Sequence, residues 1–282
     1  MHPQAFTIGP AASAWSVRVE PFGLFLALGL ALGLLCARRS ALQAKLSLEK
    51  GGAVSFAALF GALLGGRSVY ALGSAEPTSW RSLLAFEQGG LSGYGALYGA
   101  ALGAFLVLRS EARRARWFDL GAVAALLTIG VARLGCYLTG CDFGRPFVSP
   151  VPGWLARLAS FPVPRGADLS PAWDEHWARG SVNAGSLATV PLHPTALYES
   201  LGALSLCALL LGLAARQRRA GAVAMAATLG YALLRFAVET VRDDAERGLL
   251  HGYSLNRIAA VLSVLLLIGL YVARRMRVSA AA

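Results

Sequence analysis

The chain has 282 residues, 56% of them hydrophobic and only 15% charged, where a soluble domain carries about a quarter charged. Its apolar residues lie in long blocks, which excludes an ordinary soluble core and indicates a membrane protein. The formal charge of +11 does not point to nucleic acid, because much of the basic excess sits in short loops beside the apolar blocks, where membrane orientation places cations.

Met1 to Glu20 is a short, partly polar approach without the basic-then-apolar pattern of a signal sequence, so the first apolar run reads as a true span. That span covers about Pro21 to Ala37 and ends at Arg38-Arg39. A second covers about Gly51 to Leu72, with Arg67 near its far end, and Gly73 to Gln88 forms a mostly uncharged connection. The third, Gly89 to Leu108, is rich in small residues, which permit close helix packing or close approach of backbone to a ligand. A fourth runs from about Trp117 to Leu138. Thr139 to Leu192 has many prolines and no run long enough to cross a bilayer, and reads as a small extramembrane head inserted within a single domain over residues 1–282. The fifth, sixth and seventh spans cover about Pro194–Ala215, Ala222–Val241 and Ser254–Ala273.

The loops after spans one, three and five and the C-terminal tail hold four, four, three and three Lys or Arg residues, and the opposite loops are less basic. The positive-inside rule therefore puts the N-terminus outside and the C-terminus in the cytoplasm. Seven helices satisfy that arrangement, and each satisfies its own backbone, as hydrocarbon requires. The expected fold is thus an all-α polytopic membrane protein, a seven-transmembrane-helix bundle with a small extracytoplasmic head.

Charges within this apolar chain are the functional clue. Arg67, Arg133, Glu199, Arg235, Glu239 and Arg257 lie in or at the margins of spans, where an arginine must be paired, hydrated or held against a ligand. Arg235 and Glu239 are four apart and share a helix face. A structural ion-pair cluster is one reading. The other follows from the excess of arginines over carboxylates on the outer side, which favours an anionic partner such as phosphate. Together with the head, this suggests an enzyme acting on lipid head groups, with lipid transport and anion conduction left open. The remaining landmarks read more simply. Trp154, Trp173 and Trp177 are interfacial anchors or head packing, and His176 is a solvated loop residue. Cys36 and Cys207 are small buried hydrophobes, whereas Cys136 and Cys141, near one membrane exit, are either bridged or free.

Five ordered stretches resemble the prolipoprotein diacylglyceryl transferase family. They are GALLGGRSVY (Gly61–Tyr70), QGGLSGYGALYG (Gln88–Gly99), ARLGCYLTGCDFGRP (Ala132–Pro146), HPTALYE (His193–Glu199) and LRFAVETVR (Leu234–Arg242). The resemblance covers nearly the whole chain. It implies a seven-span enzyme of the bacterial inner membrane that moves the diacylglyceryl group of phosphatidylglycerol onto the cysteine thiol of a lipobox-containing prolipoprotein, releasing glycerol phosphate. It implies no metal or organic cofactor. Arg133 and Arg235 would occupy the positions tied most closely to phosphate handling and catalysis, with Arg67, Arg242, His193, Tyr198 and Glu199 in the surrounding phospholipid-binding blocks and Glu239 beside the chemistry.

One position departs from the family pattern. Where the third-span motif usually has histidine before glycine, this chain has Tyr94 before Gly95. Tyrosine, with a reference pKa of about 10, is a poor initial base, but its hydroxyl could orient a phosphate oxygen or the thiol. The thiol would then be activated by the arginines alone, or Glu239 or His193 would serve as base. The alternative is a divergent paralogue with altered phospholipid chemistry, or a non-enzymatic lipid-binding or transport protein.

Overall fold

The computed structural model describes residues 6–8, 17–73, 90–164, 170–183, 185–214, 219–244, 249–250 and 253–279. The helices are α1 (Pro21–Gln43), α2 (Leu48–Gly73), α3 (Gly93–Leu108), α4 (Arg114–Thr139), α5 (Gly153–Ala159), α6 (Pro171–Ala178), α7 (Thr195–Ala214), α8 (Ala222–Glu239) and α9 (Leu255–Ser279). Two antiparallel strand pairs accompany them, β1 (Phe6–Ile8) with β2 (Val17–Val19) and β3 (Leu249–Leu250) with β4 (Tyr253–Ser254). The sequence pattern did not foresee these strands, each too short to show an alternation.

Five helices are long and apolar enough to cross a membrane: α1, α2, α4, α7 and α8. Two apolar helical stretches are shorter, Gly93–Leu108 and Leu255–Gly269. At 1.5 Å per residue the first rises about 24 Å, less than the roughly 30 Å hydrocarbon core. The helices present large apolar side chains outward, Phe56 at 73% exposure and Leu201 at 62%, the inverse of a water-soluble surface and suited to lipid. The chain is an all-α multi-pass membrane protein. Several helices outrun the apolar blocks that announced them: α1 continues through Arg38 and Arg39 to Gln43, and α9 continues past Ala273 to Ser279. Lys and Arg are good helix formers, so leaving lipid does not require leaving the helix. Apart from Gly73, the connection expected over Gly73–Gln88 lies outside the described residues, as do Arg216 and Arg218.

The described chain forms two compact units. The first comprises Met1–Leu32, Leu127–Ser205 and Ala237–Arg247. Its core joins Cys136, Tyr137, Phe143, Phe161, Ala172, Leu192 and Ala196. The Tyr137 hydroxyl donates to Leu158 O at 2.9 Å, and the Ala172 amide donates to Gly140 O at 3.0 Å, so the described parts of residues 139–192 pack onto the end of α4. Trp173 and His176 are buried there, while Trp154 and Trp177 are exposed. His176 is therefore not the solvated loop residue expected: α6 turns it inward against Phe143, with ring centroids 5.6 Å apart. Burial, and then the charge of Arg179, push its pKa down.

The second unit comprises Gly33–Leu126, Leu206–Phe236 and Gly248–Ala282. Here the small residues of α3 do pack closely. A side chain on Gly65 or Gly99 would run into the facing backbone of the other helix, so α2 and α3 meet at glycine-to-glycine distance. Asp119, 4% exposed, accepts from the Gly221 and Ala224 amides at 2.8 and 2.9 Å and so satisfies donors that the start of α8 would otherwise leave open.

Candidate functional site

Helix α4 ends in a backbone turn that sets up the charged cluster of the first unit. Gly140, at φ +81°, lets the chain reverse, with Cys141 N donating to Cys136 O at 3.1 Å and Gly140 N to Tyr137 O at 3.2 Å. This is the paired hydrogen-bond pattern of a Schellman cap. Asp142 follows at φ +54°, a left-handed conformation that aspartate tolerates better than most residues. Residues 143–147 then run as a strap between two other segments. Gly144 N donates to His193 O (2.9 Å), His193 N to Arg145 O (3.0 Å) and Arg145 N to Val241 O (2.9 Å). A side chain at Gly144 would lie 2.6 Å from Val241 O and 2.7 Å from the His193 Cβ, so glycine is what lets the strap draw the end of α8 and the start of α7 together.

This lacing assembles a chain of alternating charges. Glu199 Oε2 lies 3.1 Å from Arg133 Nε, and Arg133 Nη1 pairs with Asp142. Asp142 pairs in turn with Arg242, which also holds Asp244 through Nε and, at 2.7 Å, through Nη2. Glu199 is 1% exposed, whereas the Arg133 and Asp142 side chains keep 17% and 20%. The Arg133–Asp142 pair is thus the most accessible part of the cluster. Burial works against the charge on Arg242, but Asp142 and Asp244 outweigh it and raise its pKa further. Burial also pushes the Asp244 carboxyl up, against the pull of Arg242.

These ion pairs join two guanidiniums to three carboxylates. The arginine excess expected from the spans is therefore absent from this paired set. Asp142 and Asp244 come from connecting segments, so a count of charges in the spans passes over both. Asp142 had one sequence signal, its place in the family-like stretch Ala132–Pro146.

The other expected residues of this unit lie around the strap. The His193 ring packs on Phe147 with centroids 3.9 Å apart, and its Nδ1 is 3.2 Å from the Tyr198 hydroxyl. Burial, then the charge of Arg145, hold its pKa below the usual histidine value, which favours a neutral ring at pH 7. Glu239 is the last residue of α8 and is 1% exposed.

Arg235, Tyr94 and Arg67 belong to the second unit. Arg235 is 2% exposed on α8. Tyr94 is buried in the first turn of α3, its ring tilted against Tyr98 and Tyr231 with centroids at 5.8 and 6.1 Å. Arg67 donates to Gly90 O at 3.3 Å and lies 5.5 Å from the centroid of the Tyr70 ring. Arg257 lies 5.8 Å from the centroid of Phe236.

One further group has ligand-type atoms close together: Cys136, Cys141 and Asp142, all within 4.8 Å of one another. Arg133 Nη1, however, sits 3.6 Å from Cys136 Sγ and pairs with Asp142. A guanidinium already fills the place a cation would take, so the group does not suit a metal.

The family model described as prolipoprotein diacylglyceryl transferase matches residues 5–273. The phosphatidylglycerol–prolipoprotein diacylglyceryl transferase of Ralstonia pickettii is 33% identical over 49% of this chain and 47% of its own length. That of Burkholderia multivorans is 31% identical over 63% and 62%. These two alignments span about half and somewhat under two thirds of the relatives. The Bordetella bronchiseptica protein of the same description is 29% identical over 95% of this chain and 94% of its own.

Proposed function

Because the chain belongs to the prolipoprotein diacylglyceryl transferase family, we propose that it transfers the diacylglyceryl group of phosphatidylglycerol to the cysteine thiol of a lipobox-containing prolipoprotein. The observation that carries this reading is Arg133, a partly exposed guanidinium set in an apolar helix, with one edge fixed by buried Glu199 and the other held by partly exposed Asp142. The thiol sulfur attacks the glyceryl carbon, the carbon–oxygen bond to phosphate breaks, and glycerol phosphate leaves with the bonding pair. A guanidinium aimed at the phosphate stabilises the charge that grows as that bond breaks.

Asp142 holds the Arg133 edge that a phosphate would take, and it also pairs with Arg242. An arriving phosphate would displace Asp142 from Arg133 without leaving it unpaired. The thiol proton would pass to His193 or Glu239, or to water where the cationic surroundings favour the thiolate. Neutral His193 suits that role by its charge state, and its contact with Tyr198 would orient the ring. By family position, Arg235, Tyr94 and Glu239 complete the catalytic set, with Arg67, Arg242, His193, Tyr198 and Glu199 binding phospholipid.

In the same proposal, the two shorter apolar helical stretches bring the spans to seven within one domain. The protein lies in the bacterial inner membrane, with the N-terminus outside, the C-terminus cytoplasmic and the 139–192 head extracytoplasmic. The loop cations support this orientation.

The test supplies isolated membranes with phosphatidylglycerol or phosphatidylethanolamine and a peptide bearing a lipobox cysteine, and reads the peptide by mass spectrometry. Thioether-linked diacylglyceryl peptide from phosphatidylglycerol is the expected product. Lipid movement without any such product would instead establish a transport protein.

Tyr94 motivates the second reading, altered phospholipid chemistry, because it stands at the histidine position within an aromatic cluster. Tyr94→Phe keeps the ring contacts and removes only the hydroxyl. If that hydroxyl holds a substrate atom, transfer falls about tenfold, the effect of one hydrogen bond to a charged group. An unchanged rate across pH would make Tyr94 a packing residue.

A further inference from the structure

We propose that Cys136 and Cys141 are a redox-active dithiol that closes to a disulfide across the end of α4. The pair is held by backbone geometry. Cys136 and Cys141 are the two residues whose backbones form the outer hydrogen bond of the Schellman cap, Cys141 N to Cys136 O at 3.1 Å, and side chains at these two positions of such a cap meet each other. The two sulfurs lie within 4.8 Å, and the Cys141 thiol reaches to 3.4 Å from Cys136 O. A bond requires the two sulfurs to close to about 2.05 Å. Cys136 is buried and Cys141 partly exposed, so an oxidant meets Cys141 first.

The oxidant is a disulfide of the small-molecule or protein class. Cys141 loses its proton to solvent, and its sulfur attacks one sulfur of that disulfide, expelling the first thiolate. Cys136, deprotonated in turn, attacks the Cys141 sulfur of the mixed disulfide and expels the second. Two thiols of this chain are oxidised, and one external disulfide is reduced to two thiols. The thiol of Cys136, then burial, raise the Cys141 pKa well above its ordinary value, so closure is slow at neutral pH and quickens as pH rises. The bond clamps the turn immediately before Asp142, which pairs with both Arg133 and Arg242. This inference does not depend on transferase activity.

The test uses detergent-permeabilised membranes holding the full chain with Cys36→Ser and Cys207→Ser, which leaves only this pair of the four cysteines. Membranes are equilibrated with oxidised glutathione, quenched in acid, denatured, alkylated with a light reagent, reduced and alkylated with a heavy one. The expected result is the heavy label on both cysteines with no glutathione adduct, and the light label on both after prior dithiothreitol. With Cys136→Ser added, Cys141 carries glutathione instead. Light label on both cysteines after oxidation, or separate glutathione adducts on each, would overturn the dithiol. Zinc that stays with the wild-type chain through purification and is lost with Cys141→Ser would overturn it in favour of a metal site. Peptide mapping of the wild-type chain gives the same readout should the background variant fold poorly.

Discussion

Arg133→Ala is expected to lower formation of lipidated peptide by about 10²–10³-fold, the cost of removing one preorganised donor from a developing anion. Insertion should survive, because it depends on apolar length and α4 remains 26 residues long. The substitution leaves Glu199, 1% exposed, without its guanidinium contact, while Asp142 retains Arg242. A stability loss is therefore expected as well, and activity has to be normalised to the folded fraction read by size exclusion in detergent. Arg133→Lys separates charge from geometry. Lysine restores a cation but cannot give one edge to Glu199 and another to phosphate, so it should recover stability better than turnover. If Arg133→Ala made product at close to the wild-type rate per folded molecule, the proposed phosphate role would fail.

The parts of this arrangement differ in how far the sequence discloses them, for physical reasons. Five of the seven expected spans are legible because hydrocarbon demands long apolar runs, and the other two are shorter apolar helical stretches. The close packing of α2 on α3 is legible because only glycine allows it. Arg133 stands out because a charge in such a run is costly. What Arg133 pairs with is another matter. Asp142 reaches it by a left-handed turn, and Arg242 joins them only because the strap at residues 143–147 hydrogen-bonds to Arg242's neighbour Val241. Contacts made across about a hundred residues leave no local periodicity. His176 shows the same limit from the other side: it read as a solvated loop residue, but the orientation of a two-turn helix decided its burial. The two thiols were visible as a spacing. Only the backbone turn shows that they face each other.

Arg242→Ala should lower transfer through its proposed phospholipid contact, and should also cost about 3–5 kcal/mol of stability, the range for breaking a buried ion pair by removing one partner. The Arg242 side chain is 6% exposed and Asp244 4%, so solvent cannot replace the lost guanidinium. Asp142 loses one of its two arginines at the same time. The expected observation is a lower unfolding temperature in detergent, compared at one scan rate because such unfolding is commonly irreversible. Adding Asp244→Asn removes the orphaned charge and should recover part of the loss. That recovery is diagnostic, since two independent lesions would add. If Arg242→Ala unfolded like the wild type, the charge chain would not be what holds the strap to the end of α8, and the backbone bonds at Gly144 and Arg145 would suffice alone. If it unfolded early while Asp244→Asn restored nothing, the Asp142 contact would be the one that matters, and Asp142→Asn in the Arg242→Ala background should then produce the recovery instead.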